Sequence, residues 1–182
     1  MLQFPKRYAD LVARLRVPSG FLLIAAFAWF SRPTASSLAL GIPVSLLGLA
    51  LRAWAAGCLA KNQQLATGGP YAYTRNPLYL GTLIVAFGLA LASRSPGLAA
   101  LFAAVFFFVY LPVIQNEQQH LRQLFPEYAQ YAAAVPVLWP KFRRPTPGAF
   151  RWSLYRKNQE YQAAAGFAAG ALYLLWRARA WL

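Results

Sequence analysis

Apolar runs separated by short polar breaks dominate the chain. Five can be drawn, at residues 17–30, 36–59, 78–92, 97–114 and 161–176. A hydrocarbon core about 30 Å thick needs ~20 helical residues, so the first, third and fifth runs are short and must tilt or recruit flanking residues. Helices are expected rather than strands, because an open sheet edge leaves backbone groups unsatisfied in lipid. The breaks SRPTA (31–35) and SRSPG (93–97) are tight turns carrying proline with serine or glycine, which makes two antiparallel helical hairpins. The pattern predicts an all-α fold, a polytopic membrane helical bundle of about five transmembrane helices, with the longer loops at one end.

Composition agrees with that pattern. The chain has 182 residues, 59% of them hydrophobic and 12% charged, against roughly a quarter charged in soluble domains. A net charge of +14 raises nucleic acid as a partner. Nucleic-acid binders, however, carry basic residues on a polar surface, whereas here they lie between apolar runs, so no nucleic-acid partner is expected. Lys6, Arg7, Arg14, Arg16, Lys61, Arg75, Arg122, Lys141, Arg143, Arg144, Arg151, Arg156 and Lys157 fall on one side of the five-helix topology; Arg32, Arg94, Arg177 and Arg179 fall on the other. The positive-inside rule then places the N-terminus and the long loops in the cytoplasm. It predicts an integral, multi-pass protein of a bacterial-type inner membrane, with any site facing the cytoplasm. The lead MLQFPKRYADLVARLRVP is followed by an apolar run without a small-residue cleavage site, so no cleavable signal peptide is expected. Cys58 is the one cysteine, which excludes a disulfide within the chain and gives no metal-ligand spacing.

Candidate chemistry is sparse. The carboxylates are Asp10, Glu117, Glu127 and Glu160. Asp10 lies in the basic lead; Glu127 and Glu160 suit helix N-termini. Glu117, three residues past the fourth apolar run, needs a partner or water. Two readings stay open for it: a functional carboxylate, or a counter-ion to Arg75 or Arg122 that anchors the helix end. Pro126 should end one helix near Gln123 and begin another. His120, the sole histidine, reads as an interfacial polar residue, and no metal site is expected. No Walker loop, Gly-x-Gly-x-x-Gly or Ser-His-Asp set occurs; TGGPY (67–71) lacks the strand that a phosphate-cradling loop requires. The basic, aromatic stretch KFRRPTPGAFRWSLYRKN (141–158) reads as an interfacial segment on anionic headgroups, with a substrate-contacting lid as the alternative.

Two polar stretches are informative together. LRAWAAGCLAKNQQLATGGPYAYTRNPLYLG (51–81), followed after a hairpin by NEQQHLRQLFPEYAQYAAAVPVLWP (116–140), resembles the isoprenylcysteine carboxyl methyltransferase family, within the superfamily of integral-membrane methyltransferases that includes phospholipid methyltransferases. The family pattern runs Gly-Pro-Tyr, Arg-His-Pro-x-Tyr, a hairpin, Glu-Glu-x-x-Leu, Tyr-x-x-Tyr and Val-Pro. The resemblance makes 1–182 one membrane-embedded domain with a motif-bearing core at 51–140 and a C-terminal extension at 141–182. It implies an S-adenosyl-L-methionine site lined by Leu65, Tyr71, Arg75, Asn76, Pro77, Leu78, Tyr79 and Glu117, with Glu117 and Arg75 as the catalytic pair and a lipophilic methyl acceptor. Glu117 suits the cofactor's amino group and sulfonium, Arg75 its carboxylate, and tyrosine faces the sulfonium. The chain departs from the pattern at Asn76, where the family has histidine, at Gln118, where it has a second glutamate, and at Gln63. Val113 stands where the prenylcysteine enzymes carry an arginine, which argues against a prenylcysteine carboxylate as acceptor.

Two other classes compete with a methyltransferase acting on an isoprenoid or phospholipid. Sterol-reductase relatives share the architecture and an Arg-x-Pro-x-Tyr stretch, which would make the chain an NADPH-dependent membrane reductase. A non-catalytic module binding anionic lipid or a partner subunit would make Glu117 a structural counter-ion. Gly41, Gly48, Gly81 and Gly88 permit close helix packing, expected within one chain; the sequence leaves oligomeric state open.

Overall fold

The computed structural model describes residues 4–141 and 147–179, and no strand occurs among them. The helices are α1 (Lys6–Phe30), α2 (Ala35–Cys58), α3 (Pro77–Ser93), α4 (Pro96–Val105), α5 (Leu111–Leu124), α6 (Tyr128–Ala134), α7 (Trp152–Lys157) and α8 (Tyr161–Arg179). A π turn at Phe106–Tyr110 joins α4 to α5, so Pro96–Leu124 runs as one 29-residue helix. The axis of α1 bends by 54° between Lys6–Leu15 and Pro18–Phe30, where a proline removes a backbone donor.

Local chemistry accounts for the boundaries. Thr34 and Ser37 form a capping box at the start of α2, satisfying two orphan donors reciprocally. Pro77 and Pro96 occupy first turns, where a missing N–H costs nothing. Arg94 takes the left-handed conformation (φ 52°) that turns the chain from α3 into α4. As Pro126 predicts, α5 stops at Leu124 and α6 starts at Tyr128.

Each of the five apolar runs forms a helix, but fewer meet the requirements of a span. α2 and Pro96–Leu124 are long and apolar enough to cross a membrane, and bent α1 makes a third if counted as one span. The 17 residues of α3 extend about 25 Å at ~1.5 Å per residue. The 19 residues of α8 end in Arg177 and Arg179. The expected count of about five therefore reduces to two or three on length and apolarity.

α2 and α3 pack backbone to backbone. A Cβ on Gly48 would lie 2.7 Å from the Gly81 carbonyl oxygen, and one on Gly88 would lie 2.6 Å from the Gly41 oxygen. The four glycines thus face one another within one chain, as expected of small residues in apolar runs. Ser37 Oγ donates to the Ala92 carbonyl at 2.8 Å and Ser45 Oγ to the Val85 carbonyl at 3.1 Å, adding polar ties along the same seam. α8 closes over one end of this pair: Leu174 is fully buried against Leu38 and Ala92, and Arg177 donates to the Ala28 carbonyl at 2.9 Å. At the opposite end Gln115 exchanges two hydrogen bonds with the Phe4 backbone, both 2.9 Å. The end of α2, the start of α3, the end of α5 and the start of α8 meet there, and the candidate site lies among them.

Gly88→Ala puts a methyl against Ser45 and the Gly41 backbone and should destabilise the detergent-solubilised protein by about 2 kcal/mol. Gly166→Ala meets no atom within 4 Å and should be neutral or stabilising by up to ~1 kcal/mol. Denaturant titration of both variants checks the contrast.

Candidate functional site

The two motif stretches are stitched together along their backbones. Arg75 N–H donates to the Pro136 carbonyl at 2.9 Å and Lys141 N–H to the Tyr73 carbonyl at 3.0 Å. Thr74 Oγ1 and Asn76 Nδ2 both donate to the Val137 carbonyl, at 3.2 and 2.8 Å. Tyr131 Oη donates to the Tyr71 carbonyl at 2.8 Å, fixing the 3-10 turn Gly69–Ala72 against α6. Asn76 is thereby a structural tie at the head of α3, and buried Pro77 beside it fills the first helical turn.

On this frame Arg75 Nη1 donates to Gln118 Oε1 at 3.2 Å and to Tyr128 Oη at 3.3 Å. Glu117 accepts from Tyr79 Oη at 2.8 Å. The Tyr79 ring meets Tyr110, from the π turn, edge to face at 5.9 Å. The counter-ion reading of Glu117 is thus corrected: neither Arg75 nor Arg122 pairs with it, and the ion pair found among the described residues is Arg52–Glu160. Three buried polar atoms here find no partner among the described residues: Tyr71 Oη, Arg75 Nε and Gln118 Nε2. In a native structure such atoms mark places where water or a ligand completes the hydrogen bonding. The Tyr71 hydroxyl titrates well above its ordinary range, chiefly through burial and then through the nearby Tyr131, Cys58, Glu117 and Glu160. Burial, followed by Tyr128, likewise raises Tyr131, which Arg75 opposes.

Leu65 lies apart from this group, in the wall of a cavity of about 360 Å³. Its walls are the end of α2 at Cys58, the loop Gln64–Gly68, and Pro147–Ala149 with Arg151. The Leu78 carbonyl accepts from Arg52 Nη1 at 3.3 Å. The structure therefore gathers Tyr71, Arg75, Tyr79 and Glu117, places Leu65 in the adjoining cavity, and uses Asn76, Pro77 and the Leu78 backbone to hold the head of α3.

Sequence reasoning missed two features. Arg52 grips Glu160 with two bonds, Nε to Oε1 at 2.6 Å and Nη2 to Oε2 at 2.9 Å. Glu160 is therefore an ion-pair partner as well as the residue preceding α8; a lone arginine inside the second apolar run was the available signal. The second is in the extension, of which Pro147, Gly148, Ala149 and Arg151 line the cavity. Gly148 carries no Cβ because Gly69 occupies its place, and Arg151 N–H donates to the Gly57 carbonyl at 2.9 Å. Within 141–158, residues 142–146 lie outside the described residues.

Comparison with known proteins follows this geometry. A family described as phospholipid methyltransferase matches residues 17–128. A cobalt-zinc-cadmium resistance protein, CzcN, of Cupriavidus metallidurans is 36% identical over 56% of this chain and 47% of its own length. A nickel-cobalt-cadmium resistance protein, NccN, of Alcaligenes xylosoxydans xylosoxydans is 31% identical over 76% of this chain and 60% of its own. The chain thus spans about half the length of these curated relatives. No solved structure matches it.

Tyr71→Phe removes a buried hydroxyl that has no partner among the described residues and should stabilise the ligand-free protein by about 1 kcal/mol. Because burial raises the Tyr71 and Tyr131 hydroxyls, their ionisation leaves stability unchanged below about pH 10 and lowers it above that. Thermal melts across alkaline pH should show that decline, shallower in Tyr71→Phe.

Proposed function

The chain belongs to the phospholipid methyltransferase family, and we propose that it transfers a methyl group from S-adenosyl-L-methionine to a lipid-like or small apolar acceptor of isoprenoid or phospholipid type. The observation that carries this reading is Glu117: a carboxylate held by a tyrosine rather than a cation, in a region where three buried polar atoms have no partner among the described residues. That donor and acceptor set fits an amino-acid nucleoside, which brings an amino group, a carboxylate and several hydroxyls.

When bound, the cofactor supplies a methyl group activated by a sulfonium. Glu117 offers negative potential to its cationic part in a chain that is otherwise strongly basic, and the Tyr79 and Tyr110 rings shield that part from water. Arg75, braced by Gln118 and Tyr128, carries the opposite charge toward the carboxylate end. The Tyr71 hydroxyl, held protonated by burial, serves as a hydrogen-bond donor. Glu117 and Arg75 are the catalytic pair in the sense that they place the methyl group; catalysis is then mainly positioning and exclusion of water.

The protein is read as integral and multi-pass, with α3 and α8 crossing beside the longer helices. Packing on α2 and local bilayer thinning accommodate their shortness. The basic loops put the site at the cytoplasmic face. Metal resistance, in the relatives' names, comes to this chain as a cellular role; the chemistry proposed is methylation of an acceptor.

Calorimetric titration of the detergent-purified protein with S-adenosylhomocysteine tests the reading. Saturable binding near one site per chain is expected, weakened about tenfold or more in Glu117→Ala, as loss of a charge-assisted contact implies. No heat from a folded sample contradicts it, and saturable binding of NADPH instead makes the chain a reductase.

A further inference from the structure

The cavity against the end of α2 contains a cation with no carboxylate to balance it. Arg151 borders the cavity, anchored by its own backbone N–H on the Gly57 carbonyl at 2.9 Å. The chain has four carboxylates in all, and each is placed elsewhere. Asp10 accepts from Asn116, Glu117 from Tyr79 and Glu160 from Arg52, while Glu127 stands exposed at the head of α6. Arg151 is exposed, and among the described residues no carboxylate lies within ion-pairing distance of it, so its charge is open to an anion that enters the cavity from outside the chain.

The surroundings look built rather than incidental. The Phe150 ring packs against Gly57, where any Cβ would strike it, and Gly68 abuts the Pro147 carbonyl. Gly69 adopts a positive φ of 60° where Gly148 presses on it. The strap carrying Arg151 is thus fitted to the end of α2 and to the loop bearing Leu65. The volume, about 360 Å³, falls within the range of about 300–1,000 Å³ usual for small-molecule sites. Pro147–Ala149 and Arg151 lie beyond the matched stretch 17–128, and the other walls of the cavity lie within it.

We infer that Arg151 is a specificity-determining residue: its guanidinium takes a carboxylate or phosphate of a ligand held in this cavity. Guanidinium presents paired donors to either oxyanion. The group comes from one of two sources: the carboxylate of the nucleoside cofactor, shared with Arg75, an arm that rests on the function proposed above, or the headgroup of an anionic acceptor lipid, an arm that does not.

The experiment compares wild type with Arg151→Gln, which leaves the backbone anchor intact. Each is titrated with S-adenosylhomocysteine, with methylthioadenosine, which lacks the carboxylate, and with phosphatidic acid or diacylglycerol in detergent micelles. If the cofactor is the source, Arg151→Gln weakens S-adenosylhomocysteine about tenfold and spares methylthioadenosine, as loss of one charge-assisted contact implies. If a lipid headgroup is the source, phosphatidic acid weakens by a similar factor while diacylglycerol and the nucleosides are unchanged. A wild type that binds phosphatidic acid but no nucleoside defeats the proposed function and leaves this inference standing. Unchanged affinities in a folded Arg151→Gln overturn it, as does a wild type that binds neither anionic probe. Should Arg151→Gln fail to fold, Ala149→Trp fills the cavity without altering charge: loss of the anionic probe supports the site, and unchanged affinity overturns it.

Discussion

The backbone contact between α2 and α3 sets the position of everything at the site end. In lipid two helices gain little from hiding apolar surface, so close approach of small residues and hydrogen bonds across the seam must hold them. Gly41 and Gly48 on α2 face Gly88 and Gly81 on α3, with Ser37 and Ser45 donating across the same line. A side chain on these glycines would move the head of α3 away from the end of α2. Arg52 depends on that closeness: it reaches the Leu78 carbonyl on α3 while holding Glu160 before α8. One arginine thereby ties three helices next to the candidate site.

Scarcity of negative charge gives the remaining logic. With 18 basic and 4 acidic residues, few carboxylates serve many cations, and among the described residues the ion pair formed is Arg52–Glu160. Glu160 is buried and needs its guanidinium. Glu117 has a phenol instead, which leaves its charge available to a cationic ligand. Arg151 stands in the complementary position, a cation at the wall of a cavity. The Tyr71 hydroxyl, buried nearby, is raised above its ordinary range by burial first and then by Tyr131, Cys58 and Glu117.

Much of the helical plan was legible because apolar runs, proline breaks and capping residues are local signals. The tight hairpin turns, the interruption at Pro126 and the glycine seam all follow from neighbours in sequence. The number of spans was less legible: α3 is 17 residues long, and an apolar run alone does not say how a short helix meets the bilayer. Of the candidate residues, Tyr71, Arg75, Tyr79 and Glu117 come together, whereas Asn76 and Pro77 serve the local backbone. The Arg52–Glu160 pair was hidden because it joins positions 108 residues apart, and no periodicity reports such a contact. The strap was hidden for another reason. Its fit to the loop Gly68–Gly69 is made by carbonyls and by missing side chains at Gly57, Gly68 and Gly148, which leave no pattern of polar or apolar residues.

The most direct test of the central claim is transfer itself. The purified protein in lipid nanodiscs would be incubated with S-adenosylmethionine carrying a deuterated methyl group and with a total membrane lipid extract, and the lipids analysed by mass spectrometry. The account predicts a deuteromethylated product that accumulates with wild type and fails to form with Glu117→Ala. A folded wild type that leaves every lipid unlabelled would contradict the account.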